Sequence, residues 1–201
     1  MKSGKEKMLS GQPYQAHDRE LIQERRLTRL LIHQYNHLTP GEKTHQQKII
    51  RELIGTIGEQ FVIEPPFRCD YGYNIHLGEN FYSNFNLVIL DCAEVRIGNN
   101  ALIGPDVGIY TAGHPVHPDI RNHEYEFAFP VKIGNSVWIG GHAVVNPGVT
   151  IGDNVVIGSG SVVTKDVPSG VIAMGNPCKI LREINEEDKM FYYKKLRFHE
   201  S

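Results

Sequence analysis

Cysteine is scarce in this chain, and the few present stand far apart. Cys69, Cys92 and Cys178 are odd in number and include no C-x-x-C pair. That fits neither a disulfide framework nor a zinc knuckle. An excess of one charge is also missing, since 21 Lys and Arg face 23 Asp and Glu for a formal net charge of −2. The balance argues against nucleic acid as the main partner, while leaving room for a local basic site that takes a phosphorylated small molecule. No run approaches the ~20 apolar residues of a membrane helix. The opening MKSGKEKMLSGQPYQAHDRE has no apolar segment of signal-peptide length. The expectation is a soluble, cytoplasmic protein with free thiols and no membrane partner.

What the chain does have is a period. Residues 97–114 read IGNNAL-IGPDVG-IYTAGH, residues 133–150 IGNSVW-IGGHAV-VNPGVT, and residues 151–168 IGDNVV-IGSGSV-VTKDVP. Each line is three hexads, and every hexad opens with Ile or Val. The fifth residue is always small or β-branched, and Gly takes second place in six of the nine. A looser line, LGENFY-SNFNLV-ILDCAEVR at 77–96, carries two extra residues. Such a period reads as one short strand and one turn per hexad. The opening aliphatic points inward, the fifth residue fits a cramped corner, and Gly, Asn and Asp supply the turn conformations. Three hexads close one triangular coil, and coils stack at the ~4.8 Å strand spacing. Antiparallel hairpins would alternate with period two instead. The fold class expected is mainly β, a parallel hexapeptide-repeat β-helix.

Two appendages flank it. HDRELIQERRLTRLLIHQYNHL predicts a helix with Leu21, Leu27, Leu30, Leu31 and Leu38 as its apolar stripe. TPGE at 39–42 predicts a second helix start, with Thr39 as cap, Pro40 in the first turn and Glu42 closing a capping box. Ile49, Ile50, Leu53, Ile54 and Ile57 give that helix its stripe. INEEDKMFYYKKL predicts a short C-terminal helix. The expected segments are a helical hairpin over 1–60, the β-helix over 61–182 and a helical tail over 183–201.

One stretch breaks the period. His114 ends a coil, and the next regular hexad begins at Ile133, so residues 115–132 form an 18-residue excursion. Long irregular loops on a rigid scaffold often carry function. His114, His117 and His123 lie on or beside it. Spacing alone leaves three readings open: a general base near neutral pH, a metal site, or a surface loop.

Together with the hexads, FRCDYGYNI at 67–75, NFYSNFN at 80–86, TAGHPVHP at 111–118, NPGVTIGDN at 146–154 and GSVVTKDVP at 160–168 resemble the maltose and galactoside O-acetyltransferases. The maltose branch is the nearer, through YNH at 35–37, RCDYGYN and IYTA. The resemblance implies a left-handed solenoid, three chains side by side, and acetyl-CoA as co-substrate in a groove between neighbours. It implies His114 as the catalytic base and Asn84 as support for the acceptor and the developing oxyanion. For the CoA side it implies Gly141, Ser159, Thr164, Lys165, Lys179 and Arg182, and Trp138 offers a flat apolar surface for the pantetheine arm or the site wall. For the sugar acceptor it implies Asp18, Arg25, Asp70 and Asp91, and Tyr82 offers stacking surface for a sugar ring. An acetyl thioester is already activated, so neither a metal nor a permanently bound cofactor is called for. Glu124 or Glu126 is a candidate to orient an imidazole. Galactoside specificity is not implied, because those enzymes have two consecutive acids at Asp91-Cys92 and Ser at Asp70. Other readings are an amino-sugar or antibiotic acceptor, a metal-dependent solenoid hydratase, and a non-catalytic trimeric scaffold.

Overall fold

A computed structural model describes residues 2–198. Met1 and residues 199–201, the outer ends of the first and last expected segments, lie outside the described residues. The body of the molecule is a three-sided parallel β-solenoid. Its first face stacks five strands, from Thr56–Ile57 to Thr150–Ile151, and its second stacks seven, from Phe61–Ile63 to Lys179–Glu183. The third stacks five, from Phe67–Cys69 to Val162–Val163.

The register follows the hexads. Ile133 lies beside Ile151, eighteen positions on, while Leu77 lies beside Ile97 in the looser coils, twenty positions on. Ile97 lies beside Ile133, a gap of two coil lengths that the excursion fills. Every hexad-opening residue from Ile97 to Val163 is buried in one continuous apolar interior. Each such side chain contributes roughly 1.5–3 kcal/mol when buried. A lone coil would leave its interior open at both ends, so only the stack is stable.

Two positions in the hexad carry backbone constraints of different kinds. The fourth residue is the turn: Asn100, Asp106, Ser136, His142 and Asn154 all have φ between 54° and 58°. The second-place glycines serve close approach between coils. A Cβ on Gly98 would sit 2.7 Å from Asn135 Oδ1 and 2.8 Å from the Gly134 carbonyl carbon of the next coil.

Among the described residues, four helices decorate the solenoid: α1 (Gly4–Leu9), α2 (Arg19–His37), α3 (Lys43–Leu53) and α4 (Pro118–Arg121). The stripe α2 buries is Leu21, Thr28, Ile32 and Tyr35, not the leucines alone. Leu27 and Leu30 are exposed. Leu27 stands about 100° around the helix from Thr28, and Thr28 faces the solenoid because its hydroxyl donates to the Tyr71 carbonyl at 3.0 Å. Helix α3 starts at Lys43, later than expected. Thr39–Glu42 is a turn in which Glu42 accepts from the Thr39 N–H and hydroxyl at 2.9 and 2.8 Å.

The N-terminal arm holds structure the periodicity does not announce. Ser3 and Glu6 form a reciprocal capping box on α1. Tyr14–Gln15 then pairs antiparallel with Tyr125–Glu126 of the excursion. Met8, Tyr14, Leu21, Tyr71, Cys92, Ala93 and Ala128 make a second small core under that junction.

The expected terminal helix is replaced by one 3-10 turn, Glu186–Lys189, and an antiparallel hairpin of Phe191–Tyr193 with Leu196–Arg197. Asn185 and Asp188 cap the turn reciprocally. The aromatic run that follows favours strand over helix.

Candidate active site

His114 stands where the third face turns toward the first. Thr111 pins that corner, since its buried hydroxyl donates to the Leu90 carbonyl at 2.6 Å and accepts from the Ala93 N–H at 2.9 Å. Ala112–Gly113 then pairs antiparallel with Phe127–Ala128, returning the excursion to its root. At Gly113 a Cβ would meet the Phe127 ring at 2.6 Å, so any larger residue would have to displace that ring. His114 itself has a side chain about half exposed. Its Nδ1 lies 3.4 Å from the Tyr125 carbonyl, and its Nε2 lies 3.9 Å from Oε1 of Glu126.

A cleft of about 430 Å³ opens in front of this imidazole, lined by Ile22, Arg25, Arg121, Glu124 and Glu126 among others. Glu126 accepts the Tyr14 hydroxyl at 2.8 Å, and burial pushes that phenol well above its ordinary range. Arg25 donates to the Tyr71 hydroxyl at 2.5 Å and to the Ala16 carbonyl, which fixes the guanidinium in the cleft wall. His17 reaches Glu124 across the mouth at 2.8 Å. Sequence reasoning named His114 and Arg25 but passed over Tyr14 and His17. The Ser3–Glu6 capping signal was the available hint that the arm is ordered.

The three excursion histidines are separated by their partners. His117 accepts from the Asp119 N–H at 3.2 Å and so caps α4. His123 donates to the Asp119 carbonyl. Among the described residues, no group of three or more His, Cys, Asp and Glu is placed to hold a metal ion.

The acceptor candidates divide. Asp18 is the N-cap of α2, accepting from the Glu20 N–H at 3.0 Å. Asp70 is held with its carboxylate 3.6 Å from the Cys92 thiol, and burial pushes its carboxyl up. Asp91 turns inward. It is fully buried, and its two oxygens accept from the backbone N–H groups of Asp70 and Tyr71 at 2.9 Å and Gly72 at 2.6 Å. Burial outweighs those bonds and pushes its carboxyl up to about 6. The resemblance puts it at or near the sugar pocket; in this chain the tight 70–72 turn folds over it.

Of the CoA-side candidates, all but Thr164 and Lys165 lie elsewhere on the prism. Tyr82, Leu102 and Trp138 are laddered neighbours on the outer second face, where Trp138 is half exposed. Gly141 and Ser159 stack on consecutive coils where the second face turns to the third, and the Gly160 N–H donates to the Gly141 carbonyl at 2.9 Å. Asn84 occupies the same edge further back, between Phe81–Ser83 and Leu87–Leu90. Thr164 and Lys165 follow Val162–Val163 and are exposed. Lys179 and Arg182 lie on the last strand of the second face. Arg182 is engaged, donating to both oxygens of Asp188 at 2.7 and 2.6 Å. Within one chain, therefore, His114 and Asn84 belong to different edges.

The comparisons fit this layout. The maltose acetyltransferase hexapeptide capping motif matches residues 7–58, which span α2 and α3. The bacterial transferase hexapeptide description, of six repeats, matches residues 130–165. The galactoside O-acetyltransferase of Escherichia coli is 49% identical over 90% of this chain and 90% of its own length. The chain belongs to the maltose/galactoside O-acetyltransferase family of hexapeptide-repeat proteins. A crystal structure of a maltose O-acetyltransferase from Clostridium difficile matches with a TM-score of 0.91 at 48% identity, over 92% of this chain and 99% of that one. A galactoside acetyltransferase in complex with coenzyme A matches with a TM-score of 0.96 at 44% identity over all of both chains. The family's left-handed parallel β-helix is thus the fold of this chain.

Proposed function

We propose that this member of the family moves the acetyl group of acetyl-CoA to a hydroxyl of a maltose- or glucose-like sugar, directly, within one ternary complex. The observation that carries the reading is His114 at the head of the cleft with its two ring nitrogens differently placed. With the Nδ1 proton directed to the Tyr125 carbonyl, Nε2 keeps its lone pair for an acceptor hydroxyl. Nε2 takes the hydroxyl proton as the oxygen attacks the thioester carbonyl. The tetrahedral oxyanion collapses, the C–S bond breaks, and the imidazolium returns its proton to the CoA thiolate. A positioned His contributes ~10²–10⁴-fold as general base, and an oxyanion donor such as Asn84 a comparable factor.

The cleft mixes cationic donors, Arg25 and Arg121, with carboxylate acceptors, Glu124 and Glu126, a set that suits sugar hydroxyls. Trp138, Gly141 and Ser159 are the wall for the pantetheine arm, with Thr164, Lys165, Lys179 and Arg182 toward the phosphates. Because Asn84, Gly141 and Ser159 occupy a different edge from His114, a complete site takes its base from one chain and its oxyanion support from the next. The exposed apolar row Val62, Leu102 and Trp138 supports burial of that face against a neighbour in a homotrimer. Three free cysteines, two of them buried, support a reducing compartment such as the cytoplasm.

The test is thiol release from acetyl-CoA across maltose, glucose, galactosides, amino sugars and chloramphenicol. Sugar-dependent release that survives chelator and falls by ~10²–10⁴ in His114→Ala is expected. Release that ignores the substitution would overturn the base assignment. Release with chloramphenicol alone would overturn the sugar.

A further inference from the structure

Helix α2 serves two clefts with one face. Ile22 and Arg25 line the cleft in front of His114, and Arg29, His33 and Asn36 line a second one, of about 720 Å³, between the helix and the third face. Residues 25, 29, 33 and 36 fall on one side of a helix, and each turn advances about 5.4 Å. Val88 and Leu90 give the second cleft an apolar floor, and Arg68 stands beside Val88 on the neighbouring strand. Asn36 clamps helix to strand, accepting from the Phe67 N–H and donating to the Phe67 carbonyl, both at 2.9 Å. Asp70 joins the two clefts. It lines the second, and burial pushes its carboxyl up against the pull of Arg25 from the first and Arg29 from the second.

The second cleft carries an excess of positive charge. Asp70 is the single carboxylate in its lining. Arg29 and Arg68 are both exposed, and neither forms an ion pair among the described residues. His33 and His37 stack at the same wall, ring centroids 4.1 Å apart. A neutral sugar asks for mixed donors and acceptors, as the cleft of His114 provides. Two guanidinium forks without carboxylates of their own suit an oxyanion instead.

We propose that this second cleft is an anion subsite continuous with the acceptor cleft, taking a phosphate or carboxylate carried one ring beyond the hydroxyl that His114 deprotonates, with Arg29 and Arg68 as its ligands. The preferred acceptor is then an acidic saccharide. The inference rests on the acceptor reading above and deepens it. Arg29 stands one turn from Arg25, about 6 Å along the helix, and one further sugar ring covers that step.

The experiment measures thiol release from acetyl-CoA by the full chain with maltose, maltose 6′-phosphate and maltobiouronic acid, the matched carboxylate. The variants are Arg29→Gln/Arg68→Gln and Arg29→Lys/Arg68→Lys. Wild type is expected to show a KM on the order of 10–100-fold lower for a charged acceptor than for maltose. Preference for the phosphate or for the carboxylate tells which anion the subsite takes. The Gln pair is expected to bring the ratio of the two KM values close to one, and the Lys pair to keep part of it. A wild-type KM no lower for either charged acceptor would overturn the subsite and leave the acetyltransferase reading standing. A Gln pair that keeps the full ratio, or that loses all three acceptors equally, would also overturn it. A wild-type chain that acetylates none of the three saccharides would overturn both.

Discussion

His114 and Glu126 stand side by side on the cleft wall, Nε2 to Oε1 at 3.9 Å, His114 just beyond Ala112–Gly113 and Glu126 within the strand paired with it. Glu126 is the more buried of the two and is fixed by the Tyr14 hydroxyl at 2.8 Å. On the proposed mechanism, a fixed carboxylate at that distance stabilises the imidazolium that forms when the acceptor loses its proton. Replacing Glu126 with Gln should lower kcat roughly tenfold, about 1.4 kcal/mol of barrier. Tyr14→Phe should give a smaller loss in the same direction. Steady-state kinetics on both variants checks this, and a Gln variant with full kcat would remove Glu126 from the mechanism.

Subunit sharing has a quantitative signature. His114→Ala and Asn84→Ala are each expected to be nearly inactive alone. Mixed one to one and reassembled at random, about a quarter of wild-type activity should return, since that fraction of head-to-tail interfaces joins an intact His114 to an intact Asn84. If one chain held the whole site, mixing would return nothing.

Asp91 predicts a pH dependence of stability. Its carboxyl is pushed up to about 6 in the fold from an ordinary 3.8, because burial disfavours the charge. A raised acid stabilises fully below its unfolded value, and that contribution is lost as pH rises through the folded one. Chemical denaturation from pH 4 to 7 should therefore show the advantage of wild type over Asp91→Asn shrinking, by at most about 3 kcal/mol. A gap that widens with pH would mean the three N–H donors outweigh burial.

The two backbone constraints of the hexad separate by mutation. Gly98→Ala forces a Cβ against Asn135 and Gly134 and should cost about 1–3 kcal/mol of stability. Ser136 has φ 54° with its side chain exposed, so Ser136→Gly should change stability by no more than about 0.5 kcal/mol. Denaturation midpoints decide, and equal effects would mean that coil spacing, not turn conformation, governs both positions.

The sequence by itself determined the prism, its inward aliphatic rows and the place where the coil is interrupted. Those follow from a six-residue repeat whose constraints act between a residue and its near neighbours in one strand and turn. It also carried the motif around His114, because that motif is contiguous. Only the tertiary structure decided which side of α2 is buried, since Thr28 rather than Leu27 finds a backbone partner on the solenoid. Only it showed Asp91 turned inward beneath residues 70–72, and Arg182 spent on Asp188. The aromatic tail became a hairpin rather than a helix. The pairing of Tyr14 with Glu126 spans 112 positions, and no local pattern announces it. Such contacts depend on where folding brings distant segments, and the separation of His114 from Asn84 onto different edges is of that kind: the repeat fixes each corner, and the three-sided geometry sets them apart.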